Sequence, residues 1–293
     1  MSNNLANQSS GGALSRIDGV IRPQGHVFYG WWVVFAAAGI QLVGGLFFAH
    51  SFGIYVVELR AEFGWSNTVL SVAFALTRME SGILGPLQGW LADRFGPRVV
   101  LVAGTLMFGA GLMVFSYTFS ILSYYLSVLL IALGASLGGF ATLMVALVNW
   151  FNKHRSKAIA ASQLGYALGG LALPAIAWSI ETQGWRTTAF ASGIIVLVTC
   201  LPLSLMVRHR PSDIGERMDG TAPDPAGASA TTAADDQPEF TASEAVATRA
   251  FWLLSAGHAF ALLAVSAVLL HTHLREPGHG LSDHWPDAWR LPG

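Results

Sequence analysis

Gly89-Trp90-Leu91-Ala92-Asp93-Arg94-Phe95-Gly96-Pro97-Arg98 is a short charged turn between two long apolar runs. Gly89 permits close helix approach, and Gly96 permits a tight turn. Pro97 suits the first turn of a following helix, where its missing amide hydrogen costs little. Asp93 and Arg98 are expected to make charge-assisted contacts at the helix ends. Upstream, the run Asn67 to Leu91 is interrupted only by Arg78 and Glu80. Downstream, Val99 to Asn152 contains no Asp, Glu, Lys or Arg. As one helix it would be roughly 80 Å long, against a hydrocarbon core of about 30 Å. It must therefore turn, and Ser116–Ser123 is the polar, aromatic place to do so. Helices are predicted near Val99–Phe115 and Ile121–Val148.

The same reading extends in both directions. Val27 to Val57 carries no Asp, Glu, Lys or Arg and holds a first span plus an outer extension. Ala158–Ile180 and Thr187–Val207 supply a fifth and a sixth span, and Ala250 to about Leu270 a seventh. The composition agrees: of 293 residues, 53% are hydrophobic and only 11% charged, where soluble domains carry about 25% charged residues. The predicted fold class is all-α, a polytopic membrane protein with a six-helix bundle and a seventh transmembrane helix. The predicted segments are a cytoplasmic N-terminal stretch (1–26), the bundle (27–207), a flexible linker (208–248), the seventh helix (249–272) and an atypical polar tail (273–293). The opening stretch is too hydrophilic for a secretory signal peptide. A formal net charge of -1 gives no reason to expect a nucleic-acid partner. The single cysteine, Cys200, allows no intrachain disulfide.

Basic residues set the orientation. Arg16, Arg22, Arg94, Arg98, Lys153, Arg155, Lys157, Arg208, Arg210 and Arg217 fall on one side of the six spans, and Arg60 and Arg186 on the other. The bias places the N-terminus and the linker in the cytoplasm, with a bacterial plasma membrane as the expected location. Phe28, Tyr29, Trp31 and Trp32 at one edge, with Trp65 and Trp185 at the other, read as interfacial anchors. Asn149 and Trp150 are expected to cap or anchor the fourth span.

Ionisable residues at membrane depth are costly and normally face protein or a water-filled cavity. Arg78 and Glu80 lie about halfway along the second span, two residues apart, so they point in different directions and pair poorly with each other. Arg78 is a candidate for binding an anion and Glu80 for carrying a proton; a structural ion pair or hydrogen-bond network to another helix is the competing expectation. Gln41, His50, Gln163, Tyr166 and His258 are further candidates for substrate or proton coupling. The pairs Gly85/Gly89, Gly134/Gly138 and Gly165/Gly169 are each four apart, the interval that lets helices pack closely. Metal-ligand spacing and a nucleophile–base arrangement are both missing from the sequence, so no metal, cofactor or catalytic residue is expected.

Gly89, Leu91, Asp93, Arg94, Gly96 and Arg98 follow the order G-x-L-x-D-R-x-G-x-R, which resembles the signature of the major facilitator superfamily. Asn149-Trp-Phe-Asn-Lys-His-Arg-Ser-Lys-Ala158, feeding Gly165-Tyr-Ala-Leu-Gly169-Gly170, resembles the monocarboxylate transporter and oxalate/formate antiporter branch. The resemblance implies two six-helix bundles around a central cavity, with rocker-switch alternating access. It implies a cytoplasmic latch at Asp93, supported by Gly89, Arg94 and Arg98. It implies transport of a small organic anion, such as a monocarboxylate, by proton symport or exchange, with the lipid bilayer, that anion and protons as partners. Efflux of a hydrophobic metabolite and a transport-inactive fragment are the alternatives. Against a twelve-helix family the chain reads as truncated after its seventh helix; were the short chain whole, a homodimer is the expected assembly.

Overall fold

The computed structural model describes residues 27–220 and 242–274. The N-terminal stretch with Arg16 and Arg22, the linker over 221–241 and the tail from 275 onward lie outside the described residues. The described residues are helical and contain no strand. Two compact units are present, one running to Pro223 and one from Asp224.

The first span is built from α1 (Tyr29–Gly44), a π-helical segment (Gly45–His50) and α2 (Phe52–Phe63). The second span is α3 (Asn67–Phe95), and the third is α4 (Pro97–Ser116). The fourth comprises α5 (Ile121–Leu137) and α6 (Phe140–Trp150), and the fifth α7 (Arg155–Leu171) and α8 (Leu173–Gln183). The sixth is α9 (Trp185–Met206). Five of these six are long and apolar enough to cross a membrane. The other is α3, which is 29 residues long and carries Arg78 and Glu80 at mid-length. In the second unit, α10 (Ala242–Ala247) precedes α11 (Arg249–Leu274).

Local sequence explains where the helices start and stop. Ser66 caps α3 by accepting from the Val69 amide at 3.3 Å. Ser120 and Ser123 close a reciprocal capping box at the start of α5. Gly96 sits at φ +80, a conformation that only glycine adopts without strain, and Pro97 follows as the first residue of α4. Gly138 and Gly139 interrupt the fourth span, and Pro174 opens α8 after the break in the fifth.

Within lipid, apolar burial alone does not drive helices together, so close backbone approach must. The first span packs on the fifth, the third on the fourth and sixth, and the second on the fourth. A Cβ on Gly165 would lie 1.9 Å from the Ala38 carbonyl oxygen, and one on Gly169 would lie 2.6 Å from that of Leu42. A Cβ on Gly134 would run into the Phe108 backbone, and Gly138 lies against Gly134 and Gly104. Gly85 and Gly89 differ: a Cβ at either would meet nothing within 4 Å. The expectation that they pack helices together is therefore corrected, because four-residue spacing does not reveal which face is covered. Gly104, Gly109 and Gly193 make the close contacts that this spacing rule missed.

Two further expectations need correction. Phe28, Trp150 and Phe151 are fully buried among protein groups, Phe28 lying 5.5 Å edge-on to Phe151 and 5.8 Å from Trp150. They lock the start of the first span to the end of the fourth instead of anchoring at an interface. Trp185 is likewise buried, whereas Trp32 is half exposed. The flexible connector expected over 208–248 is folded in its first part. Short 3-10 turns at Pro211–Ile214 and Met218–Gly220 lie against the bundle, with Val207, Pro211 and Gly220 buried.

Candidate functional site

All six spans contribute to a cavity of about 390 Å³. The second span supplies Phe74, Thr77, Arg78 and Ser81, spaced i, i+3, i+4 and i+7, so one helical face lines the wall. The first span adds Gln41, Phe48 and Phe52, partly from the π-helical segment. Thr105 and Phe108 come from the third span, Tyr166 from the fifth and Cys200 from the sixth. The fourth contributes its break, from Gly134 to Phe140.

Arg78 is the one charged side chain on this wall. Its guanidinium carbon lies 4.8 Å from the centre of the Phe74 ring, and it makes no ion pair among the described residues. A cation held over an aromatic face in an otherwise uncharged hollow keeps its hydrogen-bond donors free for an anion. Glu80, two residues on, is buried and faces away from the cavity wall toward the fourth span. The two do not pair.

Polar candidates from the first and fifth spans come together in pairs. The Gln41 amide donates to the Gln163 side-chain oxygen, joining α1 to α7. His50 Nε2 lies 3.2 Å from the Tyr166 carbonyl oxygen, and the two rings are 5.1 Å apart. Gln41 and Tyr166 line the cavity; Gln163, which is exposed, and the half-buried His50 do not. His258 is exposed on α11 in the second unit.

The turn between the second and third spans carries no such network. Asp93 and Arg98 are exposed and make no hydrogen bond or ion pair among the described residues, which corrects the expectation of helix-end contacts. Arg94 stacks over Trp90 at 5.5 Å and Phe95 at 5.9 Å. The buried Gly96 lies against the His209 ring, which a Cβ there would meet at 3.7 Å. Thr77, Ser81 and Thr105 were missed at the sequence level. The first two were reachable by stepping along the helix from Arg78, whereas Thr105 carried no local signal.

Comparison with known proteins places these features in context. The sequence model described as Major Facilitator Superfamily matches residues 27–289. An oxalate:formate antiporter of Oxalobacter formigenes is 24% identical over 225 residues, covering 76% of this chain and 50% of its own. Monocarboxylate transporter 6 of Homo sapiens is 28% identical over 171 residues, 58% of this chain and 34% of its own. A 4-hydroxybenzoate transporter of Pseudomonas putida is 30% identical over 227 residues, 72% of this chain and 49% of its own. The chain spans about half the length of the curated relatives it matches.

Proposed function

This chain belongs to the Major Facilitator Superfamily, and we propose that its bundle binds a small organic anion at Arg78 and forms the substrate-bearing half of a secondary active transporter. The observation that carries this reading is a guanidinium with no ion pair among the described residues, on the wall of an otherwise uncharged cavity. Named relatives that move oxalate, formate, monocarboxylates and 4-hydroxybenzoate share a carboxylate as their common chemistry. A carboxylate matches the planar guanidinium fork and accepts two parallel hydrogen bonds. Gln41, Thr77, Ser81 and Thr105 supply neutral hydrogen-bonding groups around it.

In this reading Asp93 is a latch residue. Its carboxylate is exposed and unpaired among the described residues, as a group that engages a partner in only one conformational state would be. The membrane is a bacterial plasma membrane, with the turn at Asp93 on the cytoplasmic side.

Equilibrium dialysis of the purified chain with radiolabelled oxalate, formate and benzoate tests the anion site. R78Q is expected to weaken binding about 10- to 100-fold, the worth of one charge-assisted contact in a dry site. Unchanged affinity in a folded R78Q protein would defeat the assignment. A second reading, passage of a hydrophobic compound, draws on the cavity's aromatic wall of Phe48, Phe52, Phe74, Phe108 and Phe140. It predicts binding of neutral aromatic compounds that is indifferent to R78Q.

A further inference from the structure

The fourth span breaks where it lines the cavity, and a broken helix in a membrane must find new partners for its freed backbone groups. α5 ends at Leu137 and α6 begins at Phe140, with Gly138 and Gly139 between them. Gly134, Ala135, Gly138, Gly139 and Phe140 of this stretch line the cavity. The third span backs the break closely: a Cβ on Gly104 would lie 2.3 Å from the Gly138 amide nitrogen. The Gly134 carbonyl accepts from the Gly138 amide at 2.9 Å, and the Ser136 carbonyl from the Gly139 amide at 3.2 Å. The Leu137 carbonyl accepts from the Thr142 hydroxyl at 2.8 Å.

Gln88, on the second span, adds one bond on each side of the break. Its Nε2 donates to the Ser136 carbonyl, before the glycines, and to Thr142 Oγ1 at 3.0 Å, after them. Gln88 and Thr142 are both buried, and Gln88 takes no part in the cavity wall. An amide side chain suits this place because its one nitrogen carries two donors. The Ser136 and Leu137 carbonyls each hold another partner, so neither is stranded without Gln88. What the two bonds supply is position. Consecutive glycines leave the chain free to swivel, and fixing Thr142 fixes the first turn of α6, which carries Phe140.

We propose that Gln88 is a positioning residue that sets which carboxylates the cavity prefers, by holding Phe140 in its aromatic wall. The other four rings of that wall pair among themselves, Phe52 with Phe74 at 5.8 Å and Phe48 with Phe108 at 6.4 Å. Phe140 has no ring partner among the described residues, which leaves its face to a ligand. A carboxylate that carries a ring gains a contact from Phe140 beyond the one its carboxylate makes with Arg78. A bare carboxylate such as formate makes only the second. Gln88 touches neither anion and acts through the break, so its loss lets α6 swivel and removes the ring contact alone.

This proposal rests on the anion reading of Arg78, and dialysis of the full chain in lipid nanodiscs with radiolabelled benzoate and formate separates the two. Q88L is expected to bind benzoate about two- to tenfold more weakly, the worth of one aromatic contact, and formate as the wild type does. F140A should match Q88L. The double variant Q88L/F140A should lose no more than F140A alone, because both changes remove one contact. R78Q should weaken both anions. Wild-type benzoate affinity in Q88L, an equal loss for both anions, or additive losses in the double variant overturns the proposal. Should Q88L not fold, T142V is expected to show the same benzoate-selective loss and T142S none, and wild-type affinity in T142V overturns the proposal equally. A benzoate loss in Q88L alongside unchanged binding in R78Q defeats the anion reading and leaves the role of Gln88 standing. No benzoate binding by the wild type defeats both.

Discussion

Arg78 and Glu80 show how a two-residue offset on one helix separates two environments, one open to a cavity and one closed within protein. The offset was legible in the sequence because helical geometry alone determines it. The glycines were only half legible. Gly165 and Gly89 belong to pairs with identical spacing, yet only Gly165 touches another backbone. Their substitutions should therefore diverge. G165A sets a methyl against the Ala38 carbonyl, a contact with no flexible side chain to yield, and should cost about 1–3 kcal/mol in unfolding stability. G89A adds a methyl in open space and removes a flexible helix residue, so it should be neutral or gain about 0.5–1 kcal/mol. Thermal unfolding of the purified variants in one detergent decides, and equal midpoints for both would contradict the packing described.

At the scale of elements, the stretch after the sixth span most clearly escaped sequence reading. Residues 208–220 are polar and rich in Arg, Asp and Gly, a composition that suggests a solvated connector. Their hydrogen bonds go elsewhere. The Asp219 carboxylate accepts from three consecutive amides, Asn152 at 3.0 Å, Lys153 at 2.7 Å and His154 at 3.2 Å, where α7 begins. Negative charge is favoured at that helix end, since those amides have no intrahelical acceptor. The Trp150 indole donates to the Arg208 carbonyl at 2.9 Å, the Asn149 amide to that of His209 at 3.3 Å, and the Tyr29 amide to Glu216 at 3.2 Å. The segment therefore ties together the ends of the first, fourth and fifth spans on one side of the bundle. Composition reports solubility, whereas docking depends on backbone donors in a distant loop, and no local pattern encodes those. D219A should release the three amides at a local cost of about 1–3 kcal/mol. Hydrogen exchange should then speed up at Asn152, Lys153 and His154, with little change within α4 and α9. Unaltered protection at those three amides would show that Asp219 does not hold the segment.

Over the whole molecule, side-chain polarity is inverted relative to a soluble bundle. Phe35, Met79, Leu122, Leu171, Trp178 and Val198 are each at least 60% exposed, while Gln41, Thr77, Glu80, Gln88, Ser127 and Thr142 are buried. That distribution suits lipid outside and hydrogen-bonded polar groups inside, and it follows from run lengths that sequence displays directly. Which polar groups meet each other did not follow, because each pair joins helices distant in the chain. Orientation is a separate matter, and the ten-to-two basic bias is its physical basis. Single-cysteine labelling checks it cleanly, since the native Cys200 is buried and should react slowly. Tyr117 and Gln183 are exposed at one end of the bundle, and Asn152 and Ser212 at the other. With a membrane-impermeant maleimide on intact cells, Y117C and Q183C should label at once. N152C and S212C should label only after permeabilisation, because lysines and arginines at their end resist crossing against the membrane potential. The reverse pattern would invert the bundle and move the Asp93 turn, with the docked Asp219 segment, to the outer face.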